Sequence, residues 1–109
     1  ILDTGASNTC VDLSQIEKFN LISENSEIKA SSATDLMEET KISKKNTLQI
    51  GEWFNKSSSF VLFNLNHINK ALNEREIQKV DGIIGADTLR KAKAIIDYGT
   101  SKLYLKIKI

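Results

Sequence analysis

The chain has 109 residues, with 15 basic and 14 acidic side chains and a formal net charge of +1, and these charges are scattered rather than gathered into a basic stripe. That describes one domain with a modest core, and a nucleic-acid partner is not expected. A lone cysteine, Cys10, excludes an intrachain disulfide and a lone histidine, His67, excludes the usual zinc clusters, while no apolar run approaches the roughly 18 residues needed to span a bilayer.

In chain order, Ile1 and Leu2 read as the end of a strand that delivers Asp3 into a turn, and residues 9–11 leave that turn extended. Ser14 followed by Glu17 has capping-box spacing and predicts a short helix over 15–20. Residues 27–30 and 36–42 read as two strands of a hairpin, and residues 44–46 as a polar turn. A strand over 47–50 ends at Gly51, and a second apolar run covers 60–63 after the polar stretch 55–59. Ile68, Ala71 and Leu72 have helical spacing for one or two turns, and residues 74–79 are charged and exposed. Residues 80–84 predict a short buried strand. Asp87 reads as the cap of a helix over 88–93, whose Arg90, Lys91 and Lys93 favour the carboxyl end. The tail is extended over 94–97, turns at 98–101 and alternates apolar with polar over 102–107. Many short strands with two or three short helices describe a mostly β domain.

The residues richest in chemistry are Asp3-Thr4-Gly5-Ala6-Ser7, preceded by apolar Ile1-Leu2 and answered far along the chain by Ile83-Ile84-Gly85-Ala86-Asp87. A carboxylate that activates water works best with a twin a few Å away, since two like charges so close cannot both ionise and share one proton. This chain holds a single Asp-Thr-Gly, so the twin must come from a second copy across a two-fold axis. Gly5 and the small Ala6 let main chain approach where a larger side chain would obstruct, and the Thr4 hydroxyl can bond across the axis.

Together these motifs resemble the retropepsin-like aspartic proteases, closest to bacterial and retroelement-type members with one Asp-Thr-Gly per chain. The resemblance is anchored on residues 1–12 and 80–105. It implies a mostly β, closed β-barrel of the acid-protease fold, one lobe per chain with one or two short helices, since the length is too small for the two-lobed form. It implies Asp3 as the catalytic residue, Thr4 as the cross-dimer grip and Gly5 and Ala6 as walls of the dyad. Ile83, Ile84 and Gly85 become the strand threading beside the catalytic loop, and Ser31, Ser32, Ala33 and Thr34 the tip of a flap over substrate. Family members carry a strand upstream of the catalytic loop, so residues 1–109 are expected to form a single domain without it, with an exposed edge and a weaker dimer. The function implied is a homodimeric endopeptidase acting on an extended peptide or protein substrate, with no metal or organic cofactor. The alternative is a catalytically inactive dimerisation or peptide-binding module, favoured by a flap without glycine between residues 29 and 39.

Other residues carry plainer readings. Asp12 and Asp35 read as surface or turn carboxylates, Asp35 close to the flap, and Asp97 as ordering the turn at Tyr98-Gly99. Cys10 and His67 raise a thiol-imidazole pair, but a small buried residue accounts better for Cys10 and a helix-edge position for His67. Trp53-Phe54 is either core or a partner-binding spot, and Asn55-Lys56-Ser57 matches a glycosylation sequon, a frequent accidental match. Nothing in the residues fixes a compartment.

Overall fold

The computed structural model describes residues 1–25, 30–31, 37–38 and 40–107. Strand β1 is Cys10–Asp12, β2 Glu24–Asn25, β3 Ala30–Ser31, β4 Met37–Glu38, β5 Lys41–Ile50 and β6 Trp53–Phe63; helix α1 is Asn66–Glu74, followed by β7 Gly82–Ile83, helix α2 Ala86–Lys91, β8 Ile95–Asp97 and β9 Lys102–Tyr104. The principal sheet has the order β2-β5-β6-β1-β7, and β3-β4 and β8-β9 form separate two-stranded sheets. The mostly β expectation holds, but among the described residues the sheet does not close into a barrel. Closure needs the two end strands to pair with each other. Here the ends, β2 and β7, are two residues long, and β8 and β9 pair only together.

The long β5-β6 hairpin supplies most of the sheet. It turns through Gly51 and Glu52, with Ile50 opposite Trp53; only Gly51 has positive φ (59°), the pattern that makes glycine the preferred first residue of a two-residue hairpin turn. Residues 44–46 are not a turn. They sit inside β5, where the register shifts on either side of Asn46 and Lys45 takes φ 60°, so the strand bulges instead of reversing. The Asn46 amide donates to the buried Ser43 hydroxyl at 3.0 Å and braces the bulge. On the facing strand the polar residues 55–59 are part of β6, which therefore starts well before the expected apolar run 60–63. The sequon asparagine belongs to that strand, its Oδ1 accepting the Ser57 N–H at 3.1 Å.

The region after β1 is wound as a tight 3-10 turn over Leu13–Gln15 with Asp12, not Ser14, at its cap. Asp12 is buried and accepts the Ser14 hydroxyl at 3.1 Å, with the Ser14 and Leu65 N–H groups at 3.5 Å. It is a buried anchor rather than a surface carboxylate. The winding stops at Asn20: the Asn20 N–H donates to Glu17 O and the Leu21 N–H to Ile16 O, with Asn20 left-handed at φ 57°. The same stop recurs after α1, where Glu76 (φ 60°) donates to Asn73 O and Ile77 to Leu72 O. It occurs again after α2, where Lys93 (φ 48°) donates to Arg90 O and Ala94 to Leu89 O. Three helical segments thus end alike on asparagine, glutamate and lysine, in the conformation glycine adopts most readily.

Helix α1 is longer than the one or two turns its spacing suggested. Its Ile68 packs on a core of Cys10, Val61, Leu65 and Ile83, joined by Ala6 and Phe63. Asn69 exchanges two hydrogen bonds with Val80, donating to its carbonyl at 3.0 Å and accepting its N–H at 2.8 Å, which aims the chain into β7. Trp53 is buried while its neighbour Phe54 is exposed, so the aromatic pair divides between core and surface. Asp97 orders the β8-β9 turn as expected, accepting from Gly99 and Thr100 N–H at 2.9 and 3.2 Å; hydrogen bonding from Thr100 first of all holds its carboxyl below the ordinary value. No helix among the described residues is long and apolar enough to cross a membrane.

Candidate active site

The Asp3 loop is built around the extended segment 82–84, which is gripped on both flanks. On one side β7 lies antiparallel to β1, with Cys10 opposite Ile83 and Val11 opposite Gly82; on the other, Leu2 pairs in parallel with Ile84. The Ile84 N–H donates to Ile1 O at 2.7 Å and the Asp3 N–H returns a bond to Ile84 O at 2.9 Å. Segment 82–84 therefore passes between the two arms of the loop that carries Asp3. Gly82 is required by that passage: a Cβ there would lie 2.6 Å from Cys10 O.

Within the loop, the Ala6 N–H donates to Asp3 O at 3.2 Å, closing a turn over Thr4 and Gly5. The Gly5 N–H donates to Asp3 Oδ1 at 2.9 Å and fixes the carboxylate relative to its own backbone. Asp3, Thr4 and Gly5 are all exposed, and the other carboxylate oxygen and the Thr4 hydroxyl are not engaged by any described residue. Thr4 also borders a cleft of ≈ 340 Å³ whose walls include Leu89, Arg90 and Ile96.

Beneath the loop, Gly85 and α2 lock the arrangement. The Ala86 N–H donates to Ala6 O at 2.7 Å, and a Cβ on Gly85 would fall 2.6–2.9 Å from main-chain atoms of Asn8 and Ala6. The Thr9 hydroxyl uses its whole hydrogen-bonding capacity here. It donates to Asp87 Oδ1 at 2.7 Å and accepts from Gly85 N–H at 3.1 Å, leaving its second lone pair for the Thr88 hydroxyl at 2.6 Å. Asp87 is accordingly not the residue that caps α2. Gly85 occupies that position, and Asp87, in the first turn, accepts the Thr88 N–H at 2.8 Å and the Thr9 N–H at 2.9 Å. A carboxylate there satisfies a free helix N–H and faces the positive end of the helix dipole.

The structure thus brings Asp3, Thr4, Gly5 and Ala6 together with Ile83, Ile84 and Gly85. Of the residues expected at the flap tip, Ser31 ends β3, paired with Met37 of β4. Ser32, Ala33 and Thr34 lie outside the described residues, as does Asp35. The thiol-imidazole reading has no support in the environment of Cys10. Burial, then the Asp87 and Asp3 carboxylates, push its thiol up to about 11, the reverse of an activated nucleophile, and its Sγ donates to Asn8 O at 3.1 Å. Sequence reasoning missed Thr9 as the hub under the loop, because a threonine in an apolar strand carries no sign of the partners that folding delivers.

No protein-family model and no curated protein matches the chain by sequence. Among solved structures, the crystal structure of the retroviral protease-like domain of Ddi1 from Leishmania major superposes with a TM-score of 0.60 at 16% identity, over 96% of this chain and 71% of that one. With the gripped segment 82–84 and the exposed Asp3, this likeness places the chain in the retropepsin-like fold.

Proposed function

We propose that the protein is one half of a homodimeric aspartic endopeptidase, with Asp3 of each copy forming the dyad. The observation that carries this reading is the state of the Asp3 loop. Its first arm is tied by main-chain bonds to Ile84 and its second is paired with β7, yet it presents to the exterior one carboxylate oxygen and a Thr4 hydroxyl that no described residue engages. An exposed, rigidly mounted carboxylate is suited to meeting its twin across a two-fold axis.

In such a dimer an extended peptide crosses the axis. The ionised Asp3 takes a proton from water as the water oxygen bonds to the scissile carbonyl carbon, while the protonated Asp3 hydrogen-bonds the carbonyl oxygen. The tetrahedral species collapses, the C–N bond breaks and a proton passes to the leaving nitrogen. The test incubates the protein with a mixed peptide library, with and without a pepstatin-like inhibitor, and reads new termini by mass spectrometry. Inhibitable cleavage that is lost in Asp3→Asn, in a variant that still sediments as a dimer, is the expected result. Full turnover in Asp3→Asn, or a strict monomer at every concentration tested, removes the reading.

One observation favours a second reading, a peptide-binding module without catalysis: residues 29–39 hold no glycine, and a tip that bends over substrate is easiest to build with one. Saturable binding of library peptides with no cleavage decides for it.

A further inference from the structure

The start of β6, the last turn of α2 and the chain at 106–107 enclose a second cleft of ≈ 350 Å³, which no residue of the Asp3 loop lines. Its charged lining is three lysines from three separate elements, Lys56 of β6, Lys91 of α2 and Lys106 beyond β9, against a single carboxylate, Glu52 of the β5-β6 turn. All three are exposed, and none forms an ion pair with a described residue. The cleft is floored by buried Trp53 and flanked by exposed Phe54, with the Lys56 ammonium 5.8 Å from the Phe54 ring centre.

A second feature of the same place concerns the backbone. β6 is paired with β5 along its length, but β1 reaches β6 only at residues 61–63. Over 53–57 the edge of β6 facing away from β5 has no strand partner among the described residues. Alternation from the two-residue turn, where Ile50 and Trp53 form the closing pair, turns the N–H and C=O of Phe54 toward that open edge. Outside the β5-β6 pair no backbone bond to Phe54 occurs among the described residues, and the Lys106 N–H across the cleft donates to Ala92 O at 2.8 Å.

We infer that this cleft is a docking site for an extended acidic peptide, which adds as a strand to the open edge of β6 and sets its carboxylates against Lys56, Lys91 and Lys106. The open backbone edge selects an extended peptide, and three unpaired ammoniums select acidic side chains, with Phe54 offering apolar contact to the residues between. A second copy of this edge is disfavoured because its lysines would meet these. The scattered charge of the whole chain gives nucleic acid no continuous track. The site is separate from the Asp3 chemistry and does not depend on it.

The test uses the intact protein and a ten-residue peptide of alternating glutamate and valine, followed by the fluorescence of Trp53, the single tryptophan of the chain. Saturable change is expected, with amide resonances of Phe54, Asn55 and Lys56 shifting in NMR spectra. Replacing all three lysines (Lys56→Gln, Lys91→Gln, Lys106→Gln) should weaken binding at least tenfold, and Asp3→Asn should leave it unchanged. The matching lysine-valine peptide should not bind, which tests the same pairing without altering the protein. The proposal is overturned by equal binding of the lysine-valine peptide, or by undiminished affinity in the folded triple variant. It is equally overturned if inorganic phosphate alone reproduces every change, which marks a simple anion site, or if a single-stranded oligonucleotide displaces the peptide from the same amides at lower concentration.

Discussion

Thr9 and Asp87, 78 positions apart, are joined twice: the backbone N–H and the hydroxyl of Thr9 both donate to the same Asp87 oxygen, at 2.9 and 2.7 Å. The pair ties the strand leaving the Asp3 loop to the first turn of α2. Because Thr9 is almost fully buried, removing the acceptor strands two donors away from water. Asp87→Ala should lower stability by about 2–3 kcal/mol, and Asp87→Asn, which keeps an oxygen acceptor, by about 1 kcal/mol. Urea midpoints of the three proteins check the order. An Asp87→Ala midpoint equal to the parent's would show that the link contributes nothing.

Gly85→Ala is expected to cost about 1–3 kcal/mol through crowding alone. The backbone of Gly85, at φ −98°, suits any residue, but the new methyl would meet main-chain atoms of Asn8 and Ala6, which cannot step aside. Gly5→Ala is the informative contrast. There the nearest atom is the Asp3 Oδ1, at 3.3 Å, so the expected outcome is a small stability change with a displaced carboxylate. Denaturation and peptide cleavage measured side by side separate the two effects.

The buried thiol gives stability an alkaline limb. Cys10 has its pKa raised from 9.0 to about 11 in the folded chain, so above pH 9 the unfolded chain sheds the thiol proton while the folded chain retains it. The contribution is therefore complete below about pH 9 and is lost as pH rises through about 11. Stability measured from pH 8 to 11 should fall less steeply in Cys10→Ala than in the parent, whatever the offset between the two at pH 8. Parallel curves would remove Cys10 as the source.

Glu76→Gly should raise stability by about 0.5–1 kcal/mol. Glu76 is exposed and left-handed at φ 60°, and a side chain in that region costs roughly 1–2 kcal/mol, partly offset by the greater freedom glycine has when unfolded. The change also removes a negative charge from the negative end of α1, which has no basic residue in its last turn. A thermal midpoint below that of the parent would contradict this account of the helix stop.

Much of the site was legible because its motifs are contiguous. Asp3-Thr4-Gly5-Ala6 and Ile83-Ile84-Gly85 are short words whose residue types already state their requirement: a carboxylate at a turn, and small or flat pieces where backbones pass closely. Asp97 was legible too, since its partners are two and three residues on. Asp12 and Asp87 were misjudged for the opposite reason. Each looked like an ordinary turn or cap carboxylate, and each in addition serves a group far along the chain, Leu65 N–H and Thr9 respectively. The bulge at Lys45 hid behind polar residues that read equally well as a turn, because composition reports polarity and not whether a facing strand continues.

By itself, then, the sequence determined the mostly β character, the single Asp-Thr-Gly loop and the strand that accompanies it, all set by side chains acting within a few residues. Only the tertiary structure decided that the sheet stays open at its ends and that Thr9 is the hub below Asp3. It also decided that Lys56, Lys91 and Lys106 share one cleft. Such relations depend on which distant segments pack together, and contacts across tens of residues leave no local trace in the order of amino acids.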